Sequence, residues 1–264
     1  MRKIGFYKIT LDLDQNLFNE FMTSISFEVT GKGRLGNHLV REDERGIPLV
    51  RTTTSYNEPS YYYSIRHKML ADKIAKSFKE IGEENLHFNN ALIEVYNQDY
   101  RKMKYHSDQC LDIKKGSYIA LFSCYEKPEE LTEHSIRKLK WIDKATEQES
   151  ELSLTHNSVI LFSTLTNSRF LHKIVLDPVK GMKPPETENR WLGITFRESN
   201  NFIQFRDGAP YFLNGIRLKI TDDELRKEFF RLRSEENRNS DFKYPDFYYT
   251  ISPADLLQPL KPKQ

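Results

Sequence analysis

The feature that most constrains the fold is a series of five short apolar runs between residues 90 and 197. Each has six to eight residues and several β-branched or aromatic side chains, which is typical of β-strands. Loops of uneven length separate the runs, with no regular alternation of strand and helix, which favours an antiparallel sandwich or jelly roll over a parallel sheet. The runs are residues 90–96, 117–123, 158–163, 169–176 and 191–197.

A helix is predicted between the N-terminal region and these runs. Ser64 suits the N-cap position and Gly82 suits the C-terminal stop. One apolar face of this helix is expected to contain Ile65, Met69, Ile74, Phe78 and Ile81.

The patterns divide the chain into three regions, residues 1–47, 48–198 and 199–264. The first begins with alternating apolar residues and continues with a helical stretch and a glycine-containing polar loop. The last is a C-terminal extension, where the capping-box pattern TDDE at 221–224 predicts a second helix. The side chains expected to share a face of that helix are Leu225, Phe229 and Leu232. The chain is therefore predicted to be an α+β, mainly β protein.

Composition excludes little but guides the choice of partner. Lys and Arg number 40 and Asp and Glu 38, so the net charge of +2 gives no strong electrostatic argument for nucleic acid. Apolar runs are too short for a membrane span, and the N-terminus has no apolar signal-peptide core. Two cysteines, Cys110 and Cys124, cannot form a disulfide framework. We therefore expect a cytoplasmic or otherwise intracellular protein that is not secreted and has no membrane partner.

Three candidate metal ligands occur at His106, Asp108 and His172. Two histidines and one carboxylate on one face of iron form the facial triad of non-haem Fe(II) oxygenases. On a strand, the spacing of His106 and Asp108 would direct both side chains to one face. A surface pair in a loop is the alternative for these two, and a core histidine bonded to a carbonyl is the alternative for His172. The intervening chain is long enough for two or three strands that return His172 to the first pair.

A second group of candidates could bind an anionic co-substrate. Arg190 and Arg197 bracket the apolar run 191–197. A dicarboxylate such as 2-oxoglutarate needs a permanently charged fork at its distal carboxylate, and arginine supplies one. The hydroxyl of Tyr96 could donate to a bound carboxylate. The alternatives are two solvated strand ends and a core tyrosine.

Together these motifs resemble the AlkB-like Fe(II)/2-oxoglutarate-dependent dioxygenases. The resemblance runs from about residue 11 to 198, and the motifs occur in the family's order. The matching segments are LVRTTTSY at 49–56, FNNALIEVY at 88–96, HSD at 106–108, NSVILF at 157–162, TN at 166–167 with His172, and RWLGITFR at 190–197.

The resemblance implies a double-stranded β-helix, or jelly roll. Its domain would span residues 1–198, with an N-terminal lid at about 1–85, a core at about 86–198 and the extension 199–264 packed on the core. It also implies the cofactor Fe(II), the co-substrate 2-oxoglutarate and O2. The implied roles are Fe(II) binding by His106, Asp108 and His172, contact of Arg190 and Tyr96 with 2-oxoglutarate, and placement of Arg197 near the metal and Asp108.

Two departures from the family pattern concern this co-substrate site. Glu94 replaces the usual asparagine and shares a strand face with Tyr96, so it is turned away, paired with an arginine, or part of an altered pocket. Arg190 and Arg197 are seven positions apart where the family has six, which on a regular strand directs them to opposite faces. A bulge at Gly193 would restore a common face.

The resemblance leaves the second substrate open. Oxidative demethylation of an N-alkylated nucleobase in DNA or RNA is the family's commonest activity, and it requires a flipped base held against an aromatic side chain. Tyr56 and residues 61–63 (YYY) are candidates, with packing of the lid as the alternative. The other enzymatic hypothesis is hydroxylation of a small metabolite, an amino acid or a protein side chain, where a cationic substrate would pair with Glu94. The third is a non-catalytic scaffold.

Overall fold

The computed structural model describes residues 4–83, 86–101, 103–177 and 188–263, and the described part is mainly β. The strands are β1 Tyr7–Thr10, β2 Glu28–Gly31, β3 Arg34–Val40, β4 Ile47–Leu49, β5 Tyr61–Tyr62, β6 Asn90–Tyr96, β7 Tyr118–Tyr125, β8 Lys138–Asp143, β9 Glu149–Ser153, β10 Ser158–Ser163, β11 Phe170–Val175, β12 Trp191–Arg197, β13 Asn201–Arg206, β14 Ala209–Phe212, β15 Lys219–Ile220 and β16 Tyr249–Thr250. The α-helices are α1 Phe18–Ser24, α2 Ile65–Glu80, α3 Thr164–Arg169 and α4 Asp223–Arg238.

All five predicted strands are present, as β6, β7, β10, β11 and β12. The main sheet has the order β1-β10-β7-β12-β6-β3-β2, with β5 paired to β3. A smaller sheet has the order β11-β8-β9, and its Leu139 and Ile174 share an apolar cluster with Leu121 and Ile160 of the main sheet. Two facing antiparallel sheets are the arrangement expected of a jelly roll, so the predicted fold class is confirmed.

The central strands of the main sheet are buried on both faces. On β12, Leu192, Ile194 and Phe196 belong to the cluster formed with α1 and α2. The alternate positions, Trp191 and Arg197 among them, point to the opposite face, toward the smaller sheet. The sheet therefore has a back face covered by helices and a second face, the cavity face, directed at the smaller sheet.

Helix α2 follows the predicted bounds but buries a different face. The Ser64 hydroxyl accepts the His67 N–H, and the His67 ring in turn accepts the Ser64 N–H. The ring of His67 is fully buried and stacks on Phe21 at 4.7 Å, so a histidine occupies the start of the buried stripe. The predicted apolar face was wrong for Ile65, Met69 and Ile81, which are exposed, while the buried positions are His67, Leu70, Ala71, Ile74 and Phe78.

The C-terminal residues pack on the core through a buried ion pair and a helix. Arg51 pairs with Asp112 at 2.6 Å and donates to the carbonyls of Phe247 and Tyr249 at 3.0 and 2.9 Å. Helix α4 begins one residue later than the capping-box pattern predicts, because the side chain of Asp222 accepts the Leu225 N–H. Within the described residues, no helix combines the length and apolar character needed to cross a membrane.

Candidate metal centre and co-substrate cavity

The structure brings His106, Asp108 and His172 together. One ligand atom from each lies within 4.8 Å of the other two. His106 and His172 form an isolated antiparallel bridge, in which the N–H of each donates to the carbonyl of the other at 3.0 and 2.6 Å. Of the two alternatives for His106 and Asp108, a common strand is not the one observed, because the pairing ends at His106 and Asp108 follows in irregular backbone, where it is nevertheless buried.

The TN motif at residues 166–167 positions the backbone of Asp108. Ser163 caps α3 by accepting the Thr166 N–H, which places Asn167 in the next position of that short helix. The Asn167 side chain then accepts the Asp108 N–H at 2.7 Å and donates to the Asp108 carbonyl at 2.8 Å. The motif recognised in the sequence therefore acts on the backbone of a candidate ligand.

The carboxylate of Asp108 is buried and ionised. Arg197 contacts its Oδ2 through Nε at 2.9 Å and through Nη2 at 2.8 Å, and His172 Nε2 lies 3.4 Å from Oδ1. Burial alone would raise the pKa of Asp108, but Arg197 and then His172 more than offset it, so the pKa lies far below its usual range. An anionic oxygen is thus present beside the two imidazoles.

The histidine His106 is held as a neutral ligand. Burial, followed by the proximity of His172, lowers the pKa of His106 to about 3. Its Nδ1 lies 3.0 Å from the carbonyl of Lys104, which can only accept, so Nδ1 bears the hydrogen and Nε2 keeps a free lone pair. Two imidazoles and one carboxylate match the donor set that non-haem Fe(II) prefers, so the residues present fit an iron ion.

A cavity of about 100 Å³ adjoins these residues between the two sheets. Apolar side chains of both sheets line one part of it, among them Leu121 and Phe162 of the main sheet and Leu139 of the smaller sheet. Polar groups form the remainder of its lining. These are the three candidate ligands, Arg34, Thr52, Thr53, Thr54, Glu94, Ser107, Gln109, Thr195, Arg197 and Arg233.

Arg190 does not belong to this cavity, so its predicted position is corrected. It forms a two-point ion pair with Glu126, at 2.8 and 2.7 Å, and lies over the ring of Phe18. Strand β12 pairs without interruption on both sides, and Gly193 lies directly opposite Glu94, so the expected bulge is absent from this strand. The odd offset from Arg197 therefore keeps Arg190 off the cavity face.

Trp191 lies six residues before Arg197, the position at which the AlkB-like pattern places its first arginine. It is on the cavity face of β12, and its indole N–H donates to Ser123 Oγ at 2.5 Å. Its ring covers Gly193 so closely that any side chain at Gly193 would collide with it. An aromatic ring therefore replaces a cation at this end of the strand.

A different arginine, Arg34, lines the cavity. Arg34 of β3 lies in the same cross-strand row as Trp191, with Tyr96 of β6 between them. Arg34 Nε donates to Glu94 Oε1 at 2.7 Å, and the Tyr96 hydroxyl donates to Glu94 Oε2 at 2.9 Å. Of the three possibilities for Glu94, pairing with an arginine is the one observed. Tyr96 is fully buried and is not among the described residues that line the cavity, but its hydroxyl is bonded to Glu94, which is.

Several residues that line the cavity belong to none of the motifs recognised in the sequence. Among the described residues, the buried amide of Gln109 has no partner at either Oε1 or Nε2, and Arg197 Nη1 has none either. The charge of Glu94 was the one signal of a nearby cation, because pairing with an arginine was one of its three alternatives, and that arginine is Arg34. Nothing in the sequence indicated Arg233, which comes from the C-terminal helix.

The lid tyrosines pack and do not line the cavity. Tyr56, Tyr61 and Tyr63 are buried, and the Tyr56 hydroxyl covers Gly36, where an added Cβ would lie 2.8 Å from it. Among the described residues lining the cavity, Phe162 is the one aromatic apart from the histidines, and its ring contacts His172. The alternative of lid packing therefore describes these tyrosines.

Comparison with known proteins adds the family. A model of the 2OG-Fe(II) oxygenase superfamily matches residues 14–197, which include all three candidate ligands and end near the start of the C-terminal extension. The structure of OsALKBH1 is similar, with 12% identity, 75% of this chain and 98% of that chain covered, and a TM-score of 0.47. A Pseudomonas putida prolyl-4-hydroxylase has 13% identity, 64% and 73% coverage, and a TM-score of 0.35. No curated protein matches the chain significantly.

Proposed function

The chain belongs to the 2OG-Fe(II) oxygenase superfamily, and from that premise we propose that it hydroxylates a C–H bond of a compact, polar substrate. Membership confirms the resemblance predicted from the motifs. It makes the chain a dioxygenase that uses Fe(II), 2-oxoglutarate and O2. The observation that supports the proposed substrate class is a small cavity rich in hydrogen-bonding groups and poor in aromatic surface.

His106, Asp108 and His172 would hold the iron. When bound, the iron centre couples the conversion of 2-oxoglutarate and O2 into succinate and CO2 to oxidation of the substrate. The chain's own residues prepare this site. Arg197 keeps Asp108 ionised and in place, and the apolar side chains that line the cavity exclude water.

Arg34 is our candidate for the distal carboxylate of 2-oxoglutarate. A dicarboxylate bound at the iron needs a cation farther along the cavity, and Arg190 is engaged elsewhere by Glu126. Glu94 contacts Nε and Nη2 of Arg34, which leaves further N–H donors of the guanidinium for a second carboxylate. Glu94 and Tyr96 would then orient the arginine and not oppose the co-substrate.

The variants Arg34→Ala and Arg190→Ala test this assignment as a matched pair. Titration of 2-oxoglutarate into the Mn(II)-loaded protein, followed by calorimetry, reports binding without turnover. Loss of a charge-assisted contact of about 1.5–3 kcal/mol predicts roughly 10- to 100-fold weaker binding in Arg34→Ala. Arg190→Ala should bind as the wild type does. The reverse ranking would return the role to Arg190.

The hydrogen-bonding groups away from Arg34 indicate the second substrate. Thr52, Thr53 and Thr54 present hydroxyls, and Gln109 presents an unpartnered amide. Such groups recognise amide, hydroxyl or carboxylate functions of a compact molecule or of a side chain on a larger one. No tyrosine or tryptophan of the described chain lines the cavity to stack a base.

Demethylation of an N-alkylated nucleobase is the second candidate. The observation in its favour is Gln109, because a side-chain amide that can donate and accept at once matches the edge of a nucleobase. Stacking would then have to come from Phe162 or from the substrate itself, and the balanced net charge gives the phosphate backbone little attraction.

Succinate and formaldehyde release from the Fe(II)-loaded protein separates the two candidates. Oligonucleotides bearing N-methylated bases form one arm, and free amino acids with short peptides form the other. Stimulation of succinate release by the second arm, without formaldehyde, is the result expected for a hydroxylase. Formaldehyde formed in step with succinate only in the oligonucleotide arm would instead establish demethylation.

A further inference from the structure

The last turns of helix α4 contact a segment that contains the candidate ligand Asp108 and directly follows the candidate ligand His106. Residues 107–110 follow His106 without strand pairing, so their backbone groups need other partners. Arg233, Glu236 and Asn237 lie three and four positions apart and therefore share one face of α4, and that face is directed at this segment. The helix lies beyond residues 14–197, the region that matches the family.

Each of the three side chains binds a backbone group of the segment. Asn237 Oδ1 accepts from the N–H and the hydroxyl of Ser107, both at 3.1 Å. The guanidinium of Arg233 donates to the Ser107 carbonyl. Glu236 Oε1 accepts the Cys110 N–H at 2.8 Å. With Asn167 bound to Asp108 from the other side, the segment is held between α3 and α4.

The charges in this contact are buried and paired. Arg233 Nη1 lies 2.5 Å from Glu236 Oε2, and both side chains are less than 10% exposed. The hydroxyl of Tyr244 donates to the same Glu236 oxygen at 2.6 Å. Burying an ion pair costs desolvation that its attraction seldom returns in full, so such a pair is a poor source of stability and a better means of fixing geometry.

We propose that helix α4 is a positioning element of the metal centre, a role that rests on the proposed function. Arg233, Glu236 and Asn237 are positioning residues that fix the Ser107 and Cys110 backbone and so fix His106 and Asp108 before metal arrives. Groups of this kind around metal ligands typically change metal affinity by about 10- to 100-fold when they are removed.

Metal affinity of the full-length chain tests the proposal, with Mn(II) as an air-stable probe measured by calorimetry. Asn237→Ala removes two hydrogen bonds to Ser107 and should weaken Mn(II) binding about 10-fold. Asn237→Asp keeps the acceptor oxygen, and its affinity should equal or exceed that of the wild type. Glu235→Ala is the control, because Glu235 pairs with the exposed Arg231 on the outer side of the same helix.

Unchanged Mn(II) affinity in Asn237→Ala would overturn the proposal, as would equal losses in Asn237→Ala and Glu235→Ala. Failure of the wild type to bind Mn(II) at all would instead overturn the proposed metal centre, and with it this role of α4. If Asn237→Ala does not fold, Ser107→Ala replaces it, since it removes the hydroxyl partner of Asn237 and leaves the helix intact. That variant should weaken binding about threefold, and wild-type affinity would contradict the proposal.

Discussion

The two faces of the main sheet are built from alternate residues of the same strands, yet their chemistry is opposite. On β12 the back face presents Leu192, Ile194 and Phe196 to the helices. The cavity face of that strand presents Trp191, Thr195 and Arg197. The comparison shows that one strand can do two things at once. Its even-numbered residues here are buried in the apolar core, and its odd-numbered residues face the binding site.

The two faces should also differ in what they contribute to the folded state. Apolar burial stabilises by roughly 25 cal/mol per Å² of buried surface, and the back face is built almost entirely from such contacts. Buried ion pairs, such as Arg197 with Asp108 and Arg34 with Glu94, lose the hydration of both charges, and this cost offsets much of their mutual attraction. We therefore expect stability to depend mainly on the back face and function on the cavity face.

Truncation of a back-face side chain should have the largest effect on stability. Phe122 is fully buried and meets Phe21 edge-on at 6.5 Å. Phe122→Ala should lower the free energy of unfolding by about 3–5 kcal/mol, because it creates a cavity in the core. Urea titration measures this, with exposed Phe230→Ala as the control. Equal losses in the two variants would contradict the assigned role of the back face.

Replacement of one partner of the Arg51–Asp112 ion pair should lower the free energy of unfolding strongly, whereas replacement of both partners should not. Arg51→Ala leaves the buried Asp112 without its cation and should cost about 3–5 kcal/mol. The double variant Arg51→Met with Asp112→Leu should cost less, because no buried charge then remains unpaired. A double variant less stable than Arg51→Ala would show that the pair itself stabilises the fold.

Acidification should lower the free energy of unfolding because of His67, which stacks on Phe21 of the back-face cluster. Burial lowers the pKa of His67 to about 3. In the unfolded chain a histidine binds a proton below about pH 6.5, while the folded chain keeps His67 neutral, so stability is full above that pH and falls as the pH drops toward 3. Between pH 7 and 5 the loss from this group should reach about 2 kcal/mol.

Urea titration of the wild type and of His67→Gln at both pH values measures that loss. The variant has no imidazole at this position, so the difference between pH 7 and pH 5 should be smaller in the variant by about the same 2 kcal/mol. An identical pH dependence in both proteins would mean that His67 is protonated in the folded state.

The smallest predicted effect concerns the hydroxyl of Tyr96 on the cavity face. Tyr96→Phe keeps the ring packing and removes the hydrogen bond to Glu94. Because Glu94 still holds Arg34, we expect the KM for 2-oxoglutarate to rise only about two- to threefold and stability to fall by about 1 kcal/mol. Steady-state succinate assays at varied 2-oxoglutarate measure the KM. A change in KM as large as that of Arg34→Ala would place Tyr96 in direct contact with the co-substrate.

The sequence was sufficient where chemistry depends on local spacing. The strand runs predicted β6, β10 and β12 to the residue, and the HSD, TN and TFR motifs identified His106, Asp108, Asn167 and Arg197. The strands depend on a periodicity of two, which can be recognised without knowledge of the rest of the fold, whereas the motifs were recognised through the resemblance to a family.

Partners from distant strands could not be predicted in the same way. Arg34 meets Glu94 because β3 lies beside β6 in the sheet order, 60 residues away in sequence. Arg190 was misplaced because the pattern did not show whether β12 has a bulge, and the register that decides this is set by β6 and β7. The contacts of Arg233 and Asn237 require the packing of a helix outside the matched region.

Release of succinate from 2-oxoglutarate, measured with and without Fe(II), tests the central claim most directly when the wild type is compared with His106→Ala and His134→Ala. His134 is exposed and is not among the residues of the proposed site, so its variant controls for the loss of an imidazole. Iron-dependent release by the wild type and by His134→Ala, with none from His106→Ala, is the predicted result. Iron-dependent release retained in His106→Ala would contradict the assignment of the metal centre to the cavity face.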